Sequence, residues 1–228
     1  MKQAGQPIEL ILASASPRRR ELLAQAGYLF EVAAADVDES VIHGEPPQTY
    51  VERLAREKAQ TVFERVSQSA GQRAGEWARA GSQVSGARPA AAGISQKLVS
   101  PGALIVLGAD TTVVIGSEIL AKPEDAEDAK RMLRRLSGRV HQVLTGVAAA
   151  TRAGVASGVE TTLVTFSEIP EAELDFYCAT REPLDKAGAY GIQGYAARWI
   201  PRIEGDYFNV MGLPIARVVR MIEGALGR

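Results

Sequence analysis

The chain has 228 residues, 46% hydrophobic and 23% charged, which is length and apolar content enough for a packed core without cross-links. A net charge of -1 excludes a protein that tracks nucleic acid by bulk electrostatics, so any anionic ligand must be held by local basic groups. One cysteine, Cys178, excludes an internal disulfide and a cysteine-based zinc cluster, and two histidines, His43 and His141, are too few for a histidine-rich metal site.

No apolar run approaches the roughly 18 residues of a membrane span, and the N-terminus lacks a signal-peptide pattern. The expectation is a cytoplasmic protein with neither a membrane nor a nucleic-acid partner. Cys178 lies in an apolar-patterned segment with Leu174, Phe176 and Tyr177, which suits a buried, inert thiol better than a nucleophile.

In chain order, Ile8–Ala13 is a compact apolar run read as a strand, stopping at Ser14-Ala-Ser-Pro. A helix follows at once. Ser16 caps it, Pro17 suits its first position, Leu22, Leu23 and Ala26 form its apolar face, and Gly27 ends it. Phe30–Ala34 reads as a second strand, running into the acidic turn Asp36 to Glu39. Thr49-Tyr-Val-Glu52 has the form of a capping box opening a helix whose apolar positions run from Val51 to Val66. From about Ser67 to Pro101 the composition shifts to Ala, Gly, Ser, Gln and Arg with little periodicity. That stretch reads as a mobile insertion (about 67–101) in a single 1–228 domain, with a short helix around Trp77.

Order resumes with a strand over Ala103–Gly108, a polar break at Ala109-Asp-Thr-Thr, and a second apolar run to Ile115. Gly116-Ser117 suits a hairpin turn leading to Ile119–Pro123. A helix follows with Glu124 and Asp125 in its first turn, Met132, Leu133 and Leu136 inward, and Gly138 as its stop. Val140–Ala150 and Thr161–Phe166 read as strands, Pro170–Ala179 as a helix, and Pro214 opens a last helix. Helices and strands alternate irregularly with hairpins among them, so the fold class is α/β with a mixed sheet.

Several segments carry groups suited to phosphate chemistry. A strand delivering Ser14-Ala-Ser-Pro to a helix N-terminus gathers free backbone N–H groups and a positive dipole end, a natural phosphate seat. Arg18 and Arg19 there can clamp phosphate oxygens, while Arg20 suits a solvated face. Lys58 falls about 20° from the middle of its helix's apolar stripe. It must therefore either snorkel out or point its ammonium into a polar cleft with an anionic partner.

Asp110 separates two apolar runs. It is either a turn-capping residue or a carboxylate that meets a metal, a cation or several hydrogen bonds. Lys122 ends the same hairpin, and Asp38 and Glu39 add carboxylates in a loop after a strand. Oxygen ligands for Mg²⁺ or Mn²⁺ beside lysine and arginine counter-charges are the requirements of phosphoryl or nucleotidyl chemistry. No Walker loop occurs, and the glycines of Glu182–Gly194 lack dinucleotide-binding spacing.

Taken together these segments resemble the Maf family of nucleotide pyrophosphatases. The blocks are Ser14-Ala-Ser-Pro-Arg-Arg19, Arg53-Leu-Ala-Arg-Glu-Lys-Ala59, Gly108-Ala-Asp-Thr111 with Lys122-Pro123, Ser137-Gly-Arg-Val-His141 with Thr145-Gly-Val, Glu182–Gly194, and Asn209-Val-Met-Gly-Leu-Pro214. The resemblance implies a Maf-like (ITPase-like) mixed sheet flanked by helices, with two lobes around a deep cleft. It also implies a divalent metal, and water attack on the α-phosphate of a nucleoside triphosphate to release pyrophosphate.

Carried over residue by residue, Asp110 is the proton acceptor and Glu39 a metal or water partner, the two forming the metal site. Arg18, Lys58 and Lys122 hold the triphosphate, with Ser14 and Arg19 beside them, and Asp185 and Lys186 lie at the cleft. The run Ala187–Gln193 resembles the branch acting on dTTP and UTP, with Arg18, Thr111 and Gln193 at its specificity positions. The 67–101 stretch is the departure from the family pattern.

A house-cleaning hydrolase of normal and modified pyrimidine nucleotides is one reading. A nucleotide-sensing septum or cell-division inhibitor acting through a protein partner is another, and the resemblance also leaves a homodimer open. A nucleotidyltransferase would need a second substrate pocket that the sequence does not reveal.

Overall fold

The computed structural model describes residues 9–80 and 103–227. Its centre is one long strand. β3 (Leu104–Ile115) pairs in parallel with β1 (Glu9–Leu12), which in turn pairs in parallel with the short β2 (Glu31–Val32). On its other edge β3 runs antiparallel to β5 (Val140–Thr151), followed by β6 (Gly154–Thr165) and β7 (Arg202–Glu204). With β4 (Glu118–Leu120) folded back on the end of β3, this makes a seven-stranded mixed sheet. The α/β mixed-sheet expectation is met.

The helices divide the two faces of the sheet unequally. α2 (Pro47–Ala80) covers one face along β3 and β5, burying Val51, Leu54, Ala55, Ala59 and Val62. It can lie this close because of two glycines opposite its backbone. A Cβ added at Gly108 would sit 2.1 Å from the Ala55 carbonyl oxygen, and one at Gly146 would sit 2.1 Å from that of Val51.

The other face is covered in two parts. α1 (Pro17–Gln25) and α6 (Ile215–Ala225) pack Leu22, Leu23, Val218 and Ile222 against Ile105, Leu107 and Ala109. Toward the far end, α3 (Ala126–Leu136) and α4 (Glu171–Ala179) pack Met132, Leu133, Leu136, Leu174 and Tyr177 against Val113 and Ile115. Side chains alternate along a strand, so Thr111 shares this face and falls between the two helix groups. The gap between these lobes is the cleft.

Several boundaries differ from the sequence expectations. α2 begins at Pro47, before the supposed Thr49 cap, because Pro47 presets the φ of a first helical position. It also continues to Ala80, past Ser67, since Gln, Glu, Ala and Arg sustain a helix without an apolar stripe. Residues 81–101 of the expected insertion lie outside the described residues.

Asp110 sits inside the continuous β3 rather than between two strands. Asp125 is the N-cap of α3, accepting from the Asp128 N–H at 2.8 Å, and Glu124 precedes the helix. β6 starts at Gly154, earlier than expected, and β7 and α5 (Tyr207–Met211) were not anticipated. Cys178 is buried, and that burial raises its thiol pKa. No helix among the described residues is long and apolar enough to cross a membrane.

Candidate active site

A cavity of about 730 Å³ opens between the lobes and reaches both faces of β3. Ser14, Arg18, Arg19, Glu39, Lys58, Asp110, Thr111, Lys122, Asp185, Lys186 and Gln193 all line it. Residues spread over most of the chain thus converge on one space.

On the α2 side, Lys58 resolves the choice posed by its place near an apolar stripe. It is buried, and its Nζ donates to Asp110 Oδ1 at 2.7 Å and to Glu39 Oε1 at 2.5 Å. Burial alone would raise the Glu39 pKa, but the hydrogen bond and charge of Lys58, with Lys122 and Arg19 behind it, hold that carboxyl below its ordinary range. The Glu39 loop is anchored by Tyr50, whose Oη donates to the Glu39 carbonyl at 2.9 Å. Burial, then the nearby Asp110 and Glu39 charges, push the Tyr50 phenol up to about 12, so it stays a donor. Tyr50 also lines the cavity, and sequence reasoning missed it. Its only signal was a position inside a supposed capping motif.

At the N-terminus of α1, Ser16 caps the helix by accepting from the Arg19 N–H, and Ser14 Oγ accepts from the Ser16 N–H at 3.2 Å. Arg18 reaches over the cavity toward Asp185 at 3.5 Å.

Arg19 differs from the expected phosphate clamp. Its Nε donates to Gly212 O at 2.8 Å, Nη1 to Ala109 O at 2.8 Å and Ser14 Oγ at 3.3 Å, and Nη2 to Thr111 Oγ1 at 2.9 Å. Only one N–H, on Nη2, remains uncommitted. Burial lowers the Arg19 pKa, opposed by the Asp110 and Glu39 charges. Its geometry is that of a bracket joining α1, β3 and the end of α5.

The far wall is the segment 182–194. Lys186 Nζ donates to Asp185 Oδ1 and to the Glu182 carbonyl, both at 2.5 Å. Burial would raise the Asp185 pKa, but Lys186 and Arg18 outweigh it and hold the carboxyl low. Ala189 adopts φ 60, an uncommon conformation for a residue with a Cβ. Its neighbour Tyr190 is tied to the buried His141 by an Nε2–Oη contact of 2.8 Å. Gln193 stands exposed at the cavity edge, and its amide has no hydrogen-bond partner among the described residues. Lys122 is exposed on the opposite side, with no paired carboxylate among the described residues.

The fold is thus a mixed sheet with a lysine held between two carboxylates at the base of an inter-lobe cleft. The family model described as Maf-like protein matches residues 9–225, and the chain belongs to that family. Among its curated relatives are three proteins named dTTP/UTP pyrophosphatase. The one from Anaeromyxobacter dehalogenans (strain 2CP-C) is 44% identical over 95% of this chain and 93% of its own length. That from Hahella chejuensis (strain KCTC 2396) is 45% identical over 94% and 90%, and that from Symbiobacterium thermophilum (strain DSM 24528 / JCM 14929 / IAM 14863 / T) 45% over 94% and 92%.

Proposed function

We propose that this protein hydrolyses nucleoside triphosphates between the α- and β-phosphates, releasing pyrophosphate and a monophosphate, with dTTP and UTP preferred. The observation that carries this reading is the Lys58 ammonium held between Asp110 and Glu39 in a cavity that Arg18 and Lys122 also line. The names of the relatives support pyrophosphatase chemistry rather than the division-inhibitor reading.

Asp110 takes the proton of the attacking water. Lys58 lies within reach of both that carboxylate and Glu39, so it orients Asp110 and offsets charge building on the α-phosphate. Arg18, Lys122 and the N-terminal amides of α1 hold the β- and γ-phosphates. The pyrophosphate leaving group departs along this basic edge.

Among the described residues no cluster of three potential metal ligands occurs. Two hard carboxylates, Glu39 and Asp110, do suit Mg²⁺ or Mn²⁺, which keeps waters and substrate phosphates as its other ligands. When bound, such a cation supplies neutralisation of phosphate charge.

Base choice falls to Gln193, with Thr111 and Arg18. An amide that both donates and accepts matches the alternating O4, N3–H and O2 edge of thymine and uracil.

The test is pyrophosphate release from a panel of normal and modified triphosphates with Mg²⁺ and Mn²⁺. dTTP and UTP should lead. ATP or GTP as best substrate would overturn the pyrimidine assignment, and absence of pyrophosphate from every triphosphate would overturn the chemistry.

A further inference from the structure

Beneath the cavity, polar side chains cross the sheet in a chain whose proton directions can all be assigned. Thr162 Oγ1 on β6 donates to the Asp206 carbonyl at 2.9 Å and accepts from Asn209 Nδ2 at 3.0 Å. The second Nδ2 hydrogen of the fully buried Asn209 goes to the Val143 carbonyl at 2.9 Å. Thr145 Oγ1 on β5, also fully buried, donates to the Asn209 main-chain carbonyl at 2.9 Å.

A threonine hydroxyl has a single proton and two lone pairs. Thr145 has committed its proton to Asn209. Between Thr145 Oγ1 and Thr111 Oγ1, which lie 3.0 Å apart, the proton must therefore come from Thr111. Arg19 Nη2 has no lone pair and donates to Thr111 Oγ1. Thr111 thus gives its only proton away, receives one from Arg19, and keeps one lone pair. Toward the cavity it lines, it is an acceptor and nothing else. The neighbouring Gly212 leaves that oxygen room, since a Cβ there would come within 3.3 Å of it.

We infer that Thr145 is a positioning residue that fixes Thr111 as a hydrogen-bond acceptor, and that this fixed polarity selects bases with an N–H at ring position 3. Uracil and thymine present that N–H, whereas cytosine presents a lone pair and meets the Thr111 oxygen acceptor to acceptor. The inference rests on the pyrimidine reading of the site and adds to it a cause in residues behind the wall.

Thr145→Val keeps the shape and removes the acceptor of the Thr111 proton, freeing that hydroxyl to turn and donate. The measurements are kcat/KM for UTP and CTP, affinities for UMP and CMP by titration calorimetry, and melting temperature. The wild-type preference for uracil should be roughly tenfold or more, the scale of one mismatched buried hydrogen bond. In the Val variant it should shrink at least fivefold through a lower KM for CTP, and Thr145→Ser should restore it. Parallel loss on both nucleotides with an unchanged ratio overturns the inference and leaves Thr145 purely structural.

Should the Val variant fail to fold, Thr111→Val carries the test. It removes the acceptor, and an undiminished uracil preference in it overturns the inference. A wild-type protein that releases no pyrophosphate refutes the proposed reaction alone. The UMP and CMP affinities then decide the inference by themselves, and equal values overturn it.

Discussion

Asp110 and Thr111 are neighbours on one strand, yet the two faces of β3 that they occupy solve different problems. On the α2 face, one positive group, Lys58, meets two negative ones, Asp110 and Glu39, so the trio keeps a net charge of +1 - 2 = -1. On the opposite face, Arg19, Thr111, Thr145, Asn209 and Thr162 form a run of directed hydrogen bonds. The first arrangement is unbalanced. In the second, each threonine hydroxyl proton is committed to a partner. On the proposed reading, the reacting groups keep an unbalanced charge and the recognising ones are fixed by their neighbours.

The contrast can be broken most sharply at Asp110. Asp110→Asn should lower turnover roughly 10²–10⁴-fold, the range for losing a positioned general base, with the fold retained. A purified, folded Asn variant keeping more than about a third of wild-type turnover would remove Asp110 from that role.

Lys58→Met should destabilise the fold by about 3 kcal/mol near neutral pH, because it leaves Asp110 and Glu39 facing each other unpaired. The figure is at the low end for broken buried pairs, since Glu39 remains half exposed and screened. Denaturant titration of Lys58→Met beside Lys58→Met/Asp110→Asn checks it, and the double variant should recover much of the loss.

Acid sensitivity separates these carboxylates from a third buried group. Burial lowers the His141 imidazole from 6.5 to about 4. The unfolded chain therefore takes up this proton before the folded one does. Its contribution to stability is complete above pH 6.5 and lost as pH falls toward 4, by about 3 kcal/mol in all. Stability measured across that window should flatten in His141→Phe, while a slope of unchanged size would clear His141 of it.

The smallest effect belongs to the opposite face. Arg19→Met should cost about 2 kcal/mol of stability by stranding the Ala109 and Gly212 carbonyls. Its pyrophosphate release per folded molecule should fall far less than in Asp110→Asn. A loss as large as that of Asp110→Asn, with normal melting, would return Arg19 to the phosphate.

The α2 face was legible in the sequence because it violates apolar patterns. Lys58 interrupts a helical stripe and Asp110 an apolar strand run, and neither anomaly depends on where the elements begin. The opposite face was legible only as positions, since Arg19, Thr111, Thr145 and Asn209 fall in the blocks of the family resemblance while their bonding does not show. Thr145 and Thr162 look like ordinary β-branched strand residues, and nothing local shows that their hydroxyls line up across β5 and β6. Arg19 stood in a basic run that suggests an anion clamp, whereas its partners are carbonyls near residues 109 and 212, brought together only by the fold. β7 and α5 have 3 and 5 residues, too few for periodicity to register.

The close approach of α2 to Gly108 and Gly146 gives the site a mechanical character. Backbone against backbone is a hard stop, so the helix carrying Lys58 cannot move nearer to the strand carrying Asp110. Outward motion would have to lift Val51, Leu54, Ala55, Ala59 and Val62 off the sheet as well as part the ammonium from its carboxylates. The spacing between the helix carrying Lys58 and the strand carrying Asp110 is thus set from both sides, by backbone contact at two glycines and by an apolar face that holds the helix down.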